Sequence, residues 1–490
     1  MTDSLNDSFS NDGVLNETAG ATATALIEAD VREGTYGDKV VAVEPGGAEF
    51  IPLSERHGRP LNQFWTWMSP NLEFATIFVG IIGVWFFGQS FWMASLAIVL
   101  GTGLGSLSMG LLAARGPLFG VPQMVLSRIG FGFIGNILPA GINSLVAGVG
   151  WFAVNSVSGT FALSALLGWN TKVCLVIIVL LQIAIAFFGH NLVHAFERYA
   201  FPLLAVIFII ASVVIVSKAH PSAHVVSVPG GFLITLGAAF GYAAGWNPYA
   251  SDYTRYLPKE TNTKATGLWA ALGVFVSCVV LEIVGAAAAT ITDIGKYADN
   301  PTAGFTSHMP TWIADITLLA IALGAICANA LNVYSGSMSF LAIGFQVPLG
   351  LRRAIVAIVF GVAGFLLALA GLHDAGEKYN NFLLVIAYWI GPWLGVVFTD
   401  QFLRRGKRVD GFLFDKAHNP VSGFLAMAVA MVVSIYYFGD QIDHVGWVPA
   451  HHPKFGDLAF EVGFVLAALL YAALFKLQGG AQEETLAIPE

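Results

Sequence analysis

The sequence is poor in charge for its length. Of its 490 residues only 11% are Asp, Glu, Lys or Arg, whereas 56% are hydrophobic. With a mean hydropathy of +0.72, the chain is too apolar for a water-soluble globule, because a soluble surface needs more charge. The lipid bilayer is therefore the expected solvent.

Cysteine is scarce as well. Cys174, Cys278 and Cys327 all fall within apolar stretches, which excludes a disulfide framework and metal-ligand spacing. They are expected to be small apolar packing residues. The net charge of −8 comes largely from the N-terminal segment and gives no reason to expect a nucleic-acid partner.

The N-terminal segment is polar and acidic over residues 1–62. It lacks both the basic and the apolar parts of a secretory signal, so we expect a cytosolic tail of little order without a transport role. Residues 477–490 are expected to form a second cytosolic tail. The transporter domain then extends over residues 63–476.

Apolar runs of about 20 residues predict membrane spans. Twelve candidate spans are found, at roughly 67–88, 91–114, 136–167, 173–188, 196–217, 230–251, 267–290, 313–341, 352–371, 380–401, 420–438 and 457–476. The fold class is thus an all-α integral membrane protein. Glycine is abundant within the spans, where small residues let helices approach closely; a hinge or an unwound segment is the other interpretation.

Lys and Arg are distributed unevenly between the two sides of the predicted spans. If the N-terminus is cytoplasmic, the opposite side has only Lys172, Lys218, Lys296, Lys378 and Lys454, while sixteen basic residues from Arg56 to Lys476 lie inside. This asymmetry favours an even number of spans in a cell membrane, with both termini cytoplasmic.

The sixth span is interrupted by Gly245-Trp246-Asn247-Pro248-Tyr249. A helix breaker at membrane depth needs a cavity or protein around its free backbone groups, and broken helices build transporter binding sites. The first span carries Ser69, Pro70 and Asn71 near its start. Since inverted repeats predict interruptions at corresponding positions, we expect its true break to lie deeper, around Thr76 to Gly80. Ser69, Asn71 and Thr76 are candidate site residues.

Three stretches resemble the purine-cytosine permease branch of the nucleobase:cation symporter-1 family. They are Phe64-Trp65-Thr66-Trp67-Met68-Ser69-Pro70-Asn71, Gly150-Trp151-Phe152-Ala153-Val154-Asn155-Ser156, and the segment from Ala244 to Pro258. The resemblance implies twelve helices: two inverted five-helix repeats of the leucine-transporter type, about 67–217 and 230–401, and two extra helices, about 420–476. It also implies uptake of a nucleobase coupled to a cation.

A nucleobase is flat and edged with hydrogen-bond donors and acceptors, so its site needs a stacking surface and an amide. Trp151 and Asn155 share one helical face. Trp246, beside Gly245, offers a second ring, and stacking contributes about 1–3 kcal/mol per base. Asn155 offers the donor and acceptor with which Asn reads adenine. In the alternative interpretation, Trp151 is an interfacial or core residue and Asn155 bonds a neighbouring helix.

Two further amides lie in the eighth span. The resemblance implies that an Asn of the eighth helix contacts the base, and Asn329 and Asn332 lie three apart, near one face. Asn332 is slightly favoured as the contact residue. The other Asn would then be a structural hydrogen bonder.

The coupling ion is predicted to be a proton rather than sodium. Sodium-coupled relatives use hydroxyls of the eighth helix and carbonyls of the first, yet hydroxyls are missing over 325–329. A proton carrier needs a titratable group, for which Glu282 is the best candidate and Glu73 another. Each can instead be a neutral acid that ties two helices together. Asp252 and Arg255 are interpreted as structural, pairing with a neighbouring loop.

The mechanism predicted from these residues is alternating access without covalent chemistry or a cofactor. The partners are a small-molecule nucleobase and the lipid bilayer. A carrier for another heterocycle, such as allantoin, a hydantoin or a vitamin ring, and an amino-acid carrier of the same fold stay open as alternatives. An enzyme or a channel is disfavoured because the spans contain no catalytic cluster and no filter motif.

Overall fold

The computed structural model describes residues 27–28, 31–32, 47–187, 190–297, 299–344, 349–441, 444–480 and 486–487. These residues are predominantly helical. The first half contains α1 Asn62–Met68, a 3-10 turn Ser69–Asn71, α2 Phe74–Trp85, α3 Phe91–Ala113, α4 Gly116–Phe119, α5 Gln123–Leu126, α6 Arg128–Gly135, α7 Ile137–Leu145, a π-helix Val146–Trp151, α8 Phe152–Leu167, α9 Thr171–Phe187 and α10 His190–Lys218.

The second half contains α11 Gly231–Ala244, a 3-10 turn Asn247–Tyr249, α12 Ala250–Thr254, α13 Thr263–Ala289, α14 Ile294–Tyr297, α15 Pro301–Thr306, α16 Thr311–Ala342, α17 Leu349–Gly371, α18 Ala375–Leu403, α19 Val421–Phe438, α20 Trp447–His451 and α21 Ala459–Leu477. Further 3-10 turns are Leu53–Glu55, Gly411–Leu413 and Pro453–Phe455. Four two-residue strands, β1 Ile27–Glu28, β2 Asp440–Gln441, β3 His444–Val445 and β4 Leu486–Ala487, complete the described elements.

Among the described residues, eight helices are long and apolar enough to cross a membrane, and nine if one bent pair counts as a single span. Each predicted span overlaps a helix or a pair of helices, which agrees with the all-α membrane class. The total of twelve spans stays a prediction.

Several glycines lie where two helix backbones touch. A Cβ at Gly80 of α2 would overlap the carbonyl oxygen of Glu282 on α13, and one at Gly285 of α13 would overlap the carbonyl oxygen of Ile77. Because neither position has room for a side chain, α2 and α13 pack backbone to backbone. For these positions the packing interpretation of the glycines holds.

The first span breaks earlier than the sequence analysis expected. Its two parts, Asn62–Asn71 and Phe74–Trp85, are bent by 59°, and Glu73 is extended at the junction, with φ −150° and ψ 174°. The expectation of a break at Thr76 to Gly80 was wrong, since α2 runs through both residues.

The position of the break follows from the direction of the helices. Asn71 bonds to Trp246, Thr76 bonds to Tyr242, and a Cβ at Gly83 would contact Thr235. As residue numbers rise along α2 they fall along α11, so the two helices are antiparallel. A break near the start of one antiparallel helix therefore lies beside a break near the end of the other.

Part of the predicted tail packs against the helices. Phe50 and Ile51 are buried, with 2% and 0% exposure. Ile51 donates its backbone N–H to Gly120 O at 3.0 Å, and Arg56 donates to Pro117 O at 2.8 Å. The expected boundary at residue 62 was thus too late, because Phe50 and Ile51 are already buried and this segment bonds to α4 and to Gly120 at its end. Residues 1–26, 29–30, 33–46, 481–485 and 488–490 of the two predicted tails lie outside the described residues.

The two ends of the chain come together. Strand β1 pairs with β4 in parallel, with Ile27 opposite Leu486 and Glu28 opposite Ala487. Residues 27–28 and 486–487, near the two ends of the sequence, therefore lie beside each other.

Candidate functional site

The breaks of the first and sixth spans meet at Asn71 and Trp246. Trp246 Nε1 donates to Asn71 Oδ1 at 2.9 Å, and Asn71 Nδ2 donates to Trp67 O at 2.7 Å. The Asn71 side chain thus donates a hydrogen bond to a backbone carbonyl near the break, that of Trp67. It also accepts a hydrogen bond from the indole of the other broken helix. Ser69 is buried in the same turn, and its Oγ has no hydrogen-bond partner among the described residues.

A chain of hydroxyls leads from this junction to a carboxyl group. Thr76 Oγ1 donates to Asn71 O at 2.6 Å and lies 2.5 Å from the Tyr242 hydroxyl. That hydroxyl also lies 3.4 Å from Glu73 Oε1. The second oxygen of Glu73 is buried without a partner among the described residues. Asn71, Thr76 and Glu73 are therefore brought together by the break.

Trp151 ends a π-helix, Val146–Trp151, and is buried. Its ring meets Tyr242 edge-on at 5.5 Å between centroids and Phe382 at 5.1 Å. A Cβ at Gly245 would lie 3.1 Å from Trp151 Cζ2, so glycine leaves room for the indole. π-Helical turns occur frequently at functional sites.

Trp246 directly follows Gly245 in the sequence, and its ring packs against other aromatic residues than Trp151 does. Its ring contacts Trp67 at 5.8 Å and Tyr249 at 5.6 Å. The two predicted indoles are therefore near each other: Trp246 follows Gly245, and Gly245 packs against the Trp151 ring. Trp151 also contacts Tyr242, one helical turn before Trp246. Each indole is held at an angle by edge-on packing, which fixes the plane that it presents.

The three predicted amides form one hydrogen-bonded group. Asn155 Nδ2 donates to Asn329 Oδ1 at 3.1 Å, and Asn332 Nδ2 donates to the same oxygen at 3.3 Å. The Tyr249 hydroxyl donates to Asn332 Oδ1 at 3.3 Å. Tyr249 therefore joins the amides of α8 and α16 to the break in the sixth span.

The amides differ in how much hydrogen-bonding capacity is used. Asn329 accepts from both other amides and donates to Phe152 O at 2.8 Å, so both ends of its side chain are engaged. Asn155 Oδ1 is buried without a partner among the described residues. Within the described part of the chain, the Asn332 side chain makes two hydrogen bonds, each of 3.3 Å. The geometry therefore marks Asn329 as the structural amide and leaves capacity on Asn155 and Asn332.

A polar residue that was not predicted from the sequence lies behind this group. Gln182 of α9 accepts from Ser156 Oγ at 2.8 Å and donates to Ala325 O at 3.2 Å. Ser156 in turn lies 3.4 Å from Asn329 Nδ2. A lone amide within an apolar run was the available signal, since a polar side chain at membrane depth must face protein or a cavity. Tyr242, one helical turn before Trp246, was missed in the same way.

Glu282 is buried away from the break. Its Oε2 accepts from Thr102 Oγ1 of α3 at 2.7 Å, and Oε1 has no partner among the described residues. The structure thus connects Glu73, rather than Glu282, to Thr76 through the Tyr242 hydroxyl.

Asp252 and Arg255 contact neighbouring segments, in agreement with their structural interpretation. Asp252 Oδ1 accepts from the backbone N–H of Gln123 at 2.9 Å. Arg255 donates to Gly47 O at 2.6 Å and to the Tyr334 hydroxyl at 3.1 Å. Asp252 therefore joins α12 to α5, and Arg255, the residue after α12, joins it to the N-terminal segment and to α16.

A cavity of about 280 Å³ lies beside the site, between α2, α8, α17 and α18. Its walls are mainly apolar and include Phe74, Phe78, Phe161, Tyr379 and Phe382. Phe382 also contacts the Trp151 ring. Phe382 therefore contacts both the cavity and the ring of Trp151.

A sequence family described as permeases for cytosine/purines, uracil, thiamine and allantoin matches residues 50–463, which is most of the chain. The chain belongs to this family. It is therefore a membrane transporter and not an enzyme, and the resemblance to the nucleobase:cation symporters is confirmed.

Two relatives illustrate the similarity. A putative purine-cytosine permease of Bacillus subtilis is 28% identical over 454 residues, covering 89% of this chain and 96% of the relative. A purine-cytosine permease of Emericella nidulans is 27% identical over 481 residues, covering 90% of this chain and 92% of the relative.

Solved structures show the same fold at low identity. Mhp1, a nucleobase-cation-symport-1 family transporter, in a closed conformation with bromovinylhydantoin, superposes with a TM-score of 0.65 at 19% identity and covers 89% of this chain and 95% of Mhp1. The inward-facing conformation of Mhp1 has a TM-score of 0.68 at 19% identity, over 90% of this chain and 95% of Mhp1. The fold of this chain is thus that of the Mhp1-like transporters.

Proposed function

We propose that this transporter imports a nucleobase, cytosine or a purine, together with a proton by alternating access. The names of the curated relatives above support the substrate class. The observation that carries the proposal is the amide group of Asn155 and Asn332, which has unused hydrogen-bonding capacity and lies next to a break flanked by two indoles.

The chemistry of the amides suits a nucleobase. Asn offers one acceptor and two donors, so a pair of amides can satisfy an edge on which donors and acceptors alternate. Trp151 and Trp246 supply flat surfaces for the faces of the base. Asn329 holds the two amides in place through Asn155 Nδ2 and Asn332 Nδ2.

Proton coupling is proposed because of the groups around the first break. A Cβ at Gly324 of α16 would overlap the Leu72 carbonyl oxygen. The residue of the eighth span nearest this carbonyl is therefore a glycine, which has no side-chain oxygen to bind sodium. Sodium wants several hard oxygen ligands. Glu73 instead offers a carboxyl group at the same break, and it contacts the site through Tyr242.

We place the transporter in the cell membrane with twelve spans, the first ten forming inverted repeats. The antiparallel α2 and α11, with adjacent breaks, support the inversion. Arg56 lies over the ring of Phe50, which bridges to Val31 near β1. Arg404 lies over Phe412 of a turn that contacts β4. The face that carries these arginines, β1 and β4 is therefore proposed to be cytoplasmic. The cavity beside Phe382 then lies toward the outside.

Uptake of radiolabelled cytosine into cells that lack their own carriers tests the proposal. We expect concentrative uptake that is abolished by a protonophore and unaffected when sodium is replaced. Unlabelled adenine and hypoxanthine should compete. Uptake that requires sodium would overturn proton coupling, and no uptake of any base would overturn the substrate class.

A carrier for another heterocycle is the second candidate. It is supported by more distant relatives, a vitamin B6 transporter of Saccharomyces cerevisiae at 24% identity and a putative allantoin permease of Escherichia coli at 21% identity. The same competition assay, extended to allantoin, a hydantoin, pyridoxine and leucine, separates these substrates from nucleobases.

A further inference from the structure

We propose that Tyr242 is a positioning residue that transmits the protonation state of Glu73 to the base-binding break through Thr76 and Asn71. This inference rests on the proposed proton coupling and adds the path by which the proton affects the base. Tyr242 is 1% exposed and touches both halves of the site: its ring meets Trp151 at 5.5 Å, and its hydroxyl meets Thr76 and Glu73.

The path follows from counting hydrogens. The Asn71 backbone carbonyl can only accept, so Thr76 must use its single hydroxyl hydrogen for the 2.6 Å bond to that oxygen. The hydrogen between Thr76 and Tyr242, 2.5 Å apart, must then come from the phenol. The phenol has no second hydrogen for Glu73. Its contact with Glu73 Oε1 at 3.4 Å is therefore a hydrogen bond only if the carboxyl group is protonated and donates.

A protonated Glu73 thus completes a chain in which every hydrogen is used once. Glu73 donates to Tyr242, Tyr242 to Thr76, and Thr76 to the Asn71 carbonyl. The side chain of the same Asn71 holds the Trp246 indole at 2.9 Å. The protonated state therefore stabilises the position of the indole proposed to stack on the base.

Loss of the proton breaks this chain. A carboxylate cannot donate and draws the phenol hydrogen to itself, which leaves two oxygens 2.5 Å apart without a hydrogen between them. Either the oxygens separate or Thr76 turns its hydrogen toward Tyr242. In the second case the Asn71 carbonyl loses its donor, and buried unpaired carbonyls are unfavourable. Both responses disturb the break.

The ionisable groups that face Glu73 do not replace this path. They are the phenols of Tyr242 on α11 and Tyr379 on α18 and the thiol of Cys278 on α13. Glu282 of α13 interacts electrostatically with the same Tyr379 and Cys278. The eighth span packs against Glu73 through a glycine. Among these described groups none is a cation, so Tyr242 is the described hydrogen-bond partner that responds to the charge.

The test is equilibrium binding of radiolabelled cytosine to the purified full-length protein at about pH 5.5 and about pH 8. We expect the wild type to bind about tenfold more tightly at the lower pH, within the usual range of coupling between two sites. Tyr242→Phe keeps the ring but removes the hydroxyl, so Thr76 stays on the Asn71 carbonyl at both pH values. This variant should bind at both pH values with the low-pH affinity.

Thr76→Val breaks the same series of hydrogen bonds between Tyr242 and Asn71 and should have the opposite effect on cytosine affinity. The Asn71 carbonyl has no donor in either state, so the affinity should stay at the weaker, high-pH value. Glu73→Gln should match Tyr242→Phe, because its amide is neutral and can donate. One variant fixed at the tighter cytosine affinity and the other at the weaker affinity is a result that a purely structural role of the hydroxyls does not produce.

Tyr471→Phe is the matched control, since it removes the hydroxyl of a buried tyrosine that bonds to Asp400 at 2.6 Å. Tyr471 takes no part in the hydrogen bonds from Glu73 to Asn71. It should keep the wild-type pH dependence. The inference is overturned if Tyr242→Phe also keeps it, or if Tyr242→Phe and Thr76→Val settle at the same affinity. A wild type that binds cytosine without pH dependence would instead overturn the proposed proton coupling, and with it this path.

Discussion

The indole Nε1 of Trp246 donates to the side-chain oxygen of Asn71 at 2.9 Å. The bond joins two interrupted helices that are far apart in the sequence. Each interruption exposes backbone groups that must find partners inside the protein, and the Asn71 side chain supplies one of them by donating to Trp67 O in its own helix. A ligand that binds at this junction therefore contacts both broken helices at once.

Replacing Trp246 by Phe keeps an aromatic ring but removes the hydrogen bond to Asn71. A hydrogen bond contributes about 1 kcal/mol, so we expect the KM for cytosine uptake to rise about fivefold with little change in expression. The matched control is Trp65→Phe, because Trp65 is 40% exposed on α1. An unchanged KM in Trp246→Phe would show that the bond does not support binding.

Adding a methyl group at Gly245 should displace the first indole. The new Cβ would lie 3.1 Å from Trp151 Cζ2, so either the ring or the break must move. Stacking is worth about 1–3 kcal/mol per base, and we expect Gly245→Ala to weaken cytosine binding by about tenfold. Gly141→Ala, where a Cβ meets nothing within 4 Å, should bind normally. Equal affinities of the two variants would contradict the assigned contact.

The two buried carboxyl groups should respond differently to neutralisation. Glu282→Gln keeps an acceptor for Thr102, so we expect pH-dependent, concentrative uptake to persist. Glu73→Gln should abolish accumulation driven by a pH gradient while exchange of internal for external cytosine continues. Uptake and exchange are measured on the same proteoliposomes. Loss of coupling in Glu282→Gln, and its retention in Glu73→Gln, would reverse the assignment.

The packed part of the N-terminal segment should contribute to stability. Ile51 is fully buried, with 0% exposure, and the cost of truncating a buried Ile to Ala is about 2–5 kcal/mol. Ile51→Ala should therefore lower the unfolding temperature in detergent, whereas Leu53→Ala, at a side chain that is 50% exposed, should not. Equal unfolding temperatures for both variants would indicate that this segment does not support the fold.

Local patterns in the sequence identified several parts of the site. Gly245 to Tyr249 interrupts the sixth span as predicted, because Gly and Pro act on their own backbone. Asn155 and Asn329 meet as polar side chains in neighbouring spans, since each needs a partner inside the membrane. Asn332, the favoured amide of the eighth span, retains capacity in the structure, but its contact with the base stays a prediction.

Other features depend on contacts that no local pattern contains. The break at Ser69 to Glu73 corresponds to the one at Gly245 only because α2 and α11 are antiparallel. The π-helix before Trp151 has no clear signal of its own, and its bulge is visible only in the folded backbone. Tyr242 belongs to the site because its hydroxyl contacts Thr76 and Glu73, which lie far from it in the sequence.

Cytosine binding to the purified double variant Trp151→Ala/Trp246→Ala tests the central claim most directly. Both rings are buried at the junction, with 6% exposure each. If they hold the faces of the base, the double variant should lose cytosine affinity by at least about a hundredfold while it remains monodisperse and folded. Wild-type affinity in this folded variant would contradict the proposed site.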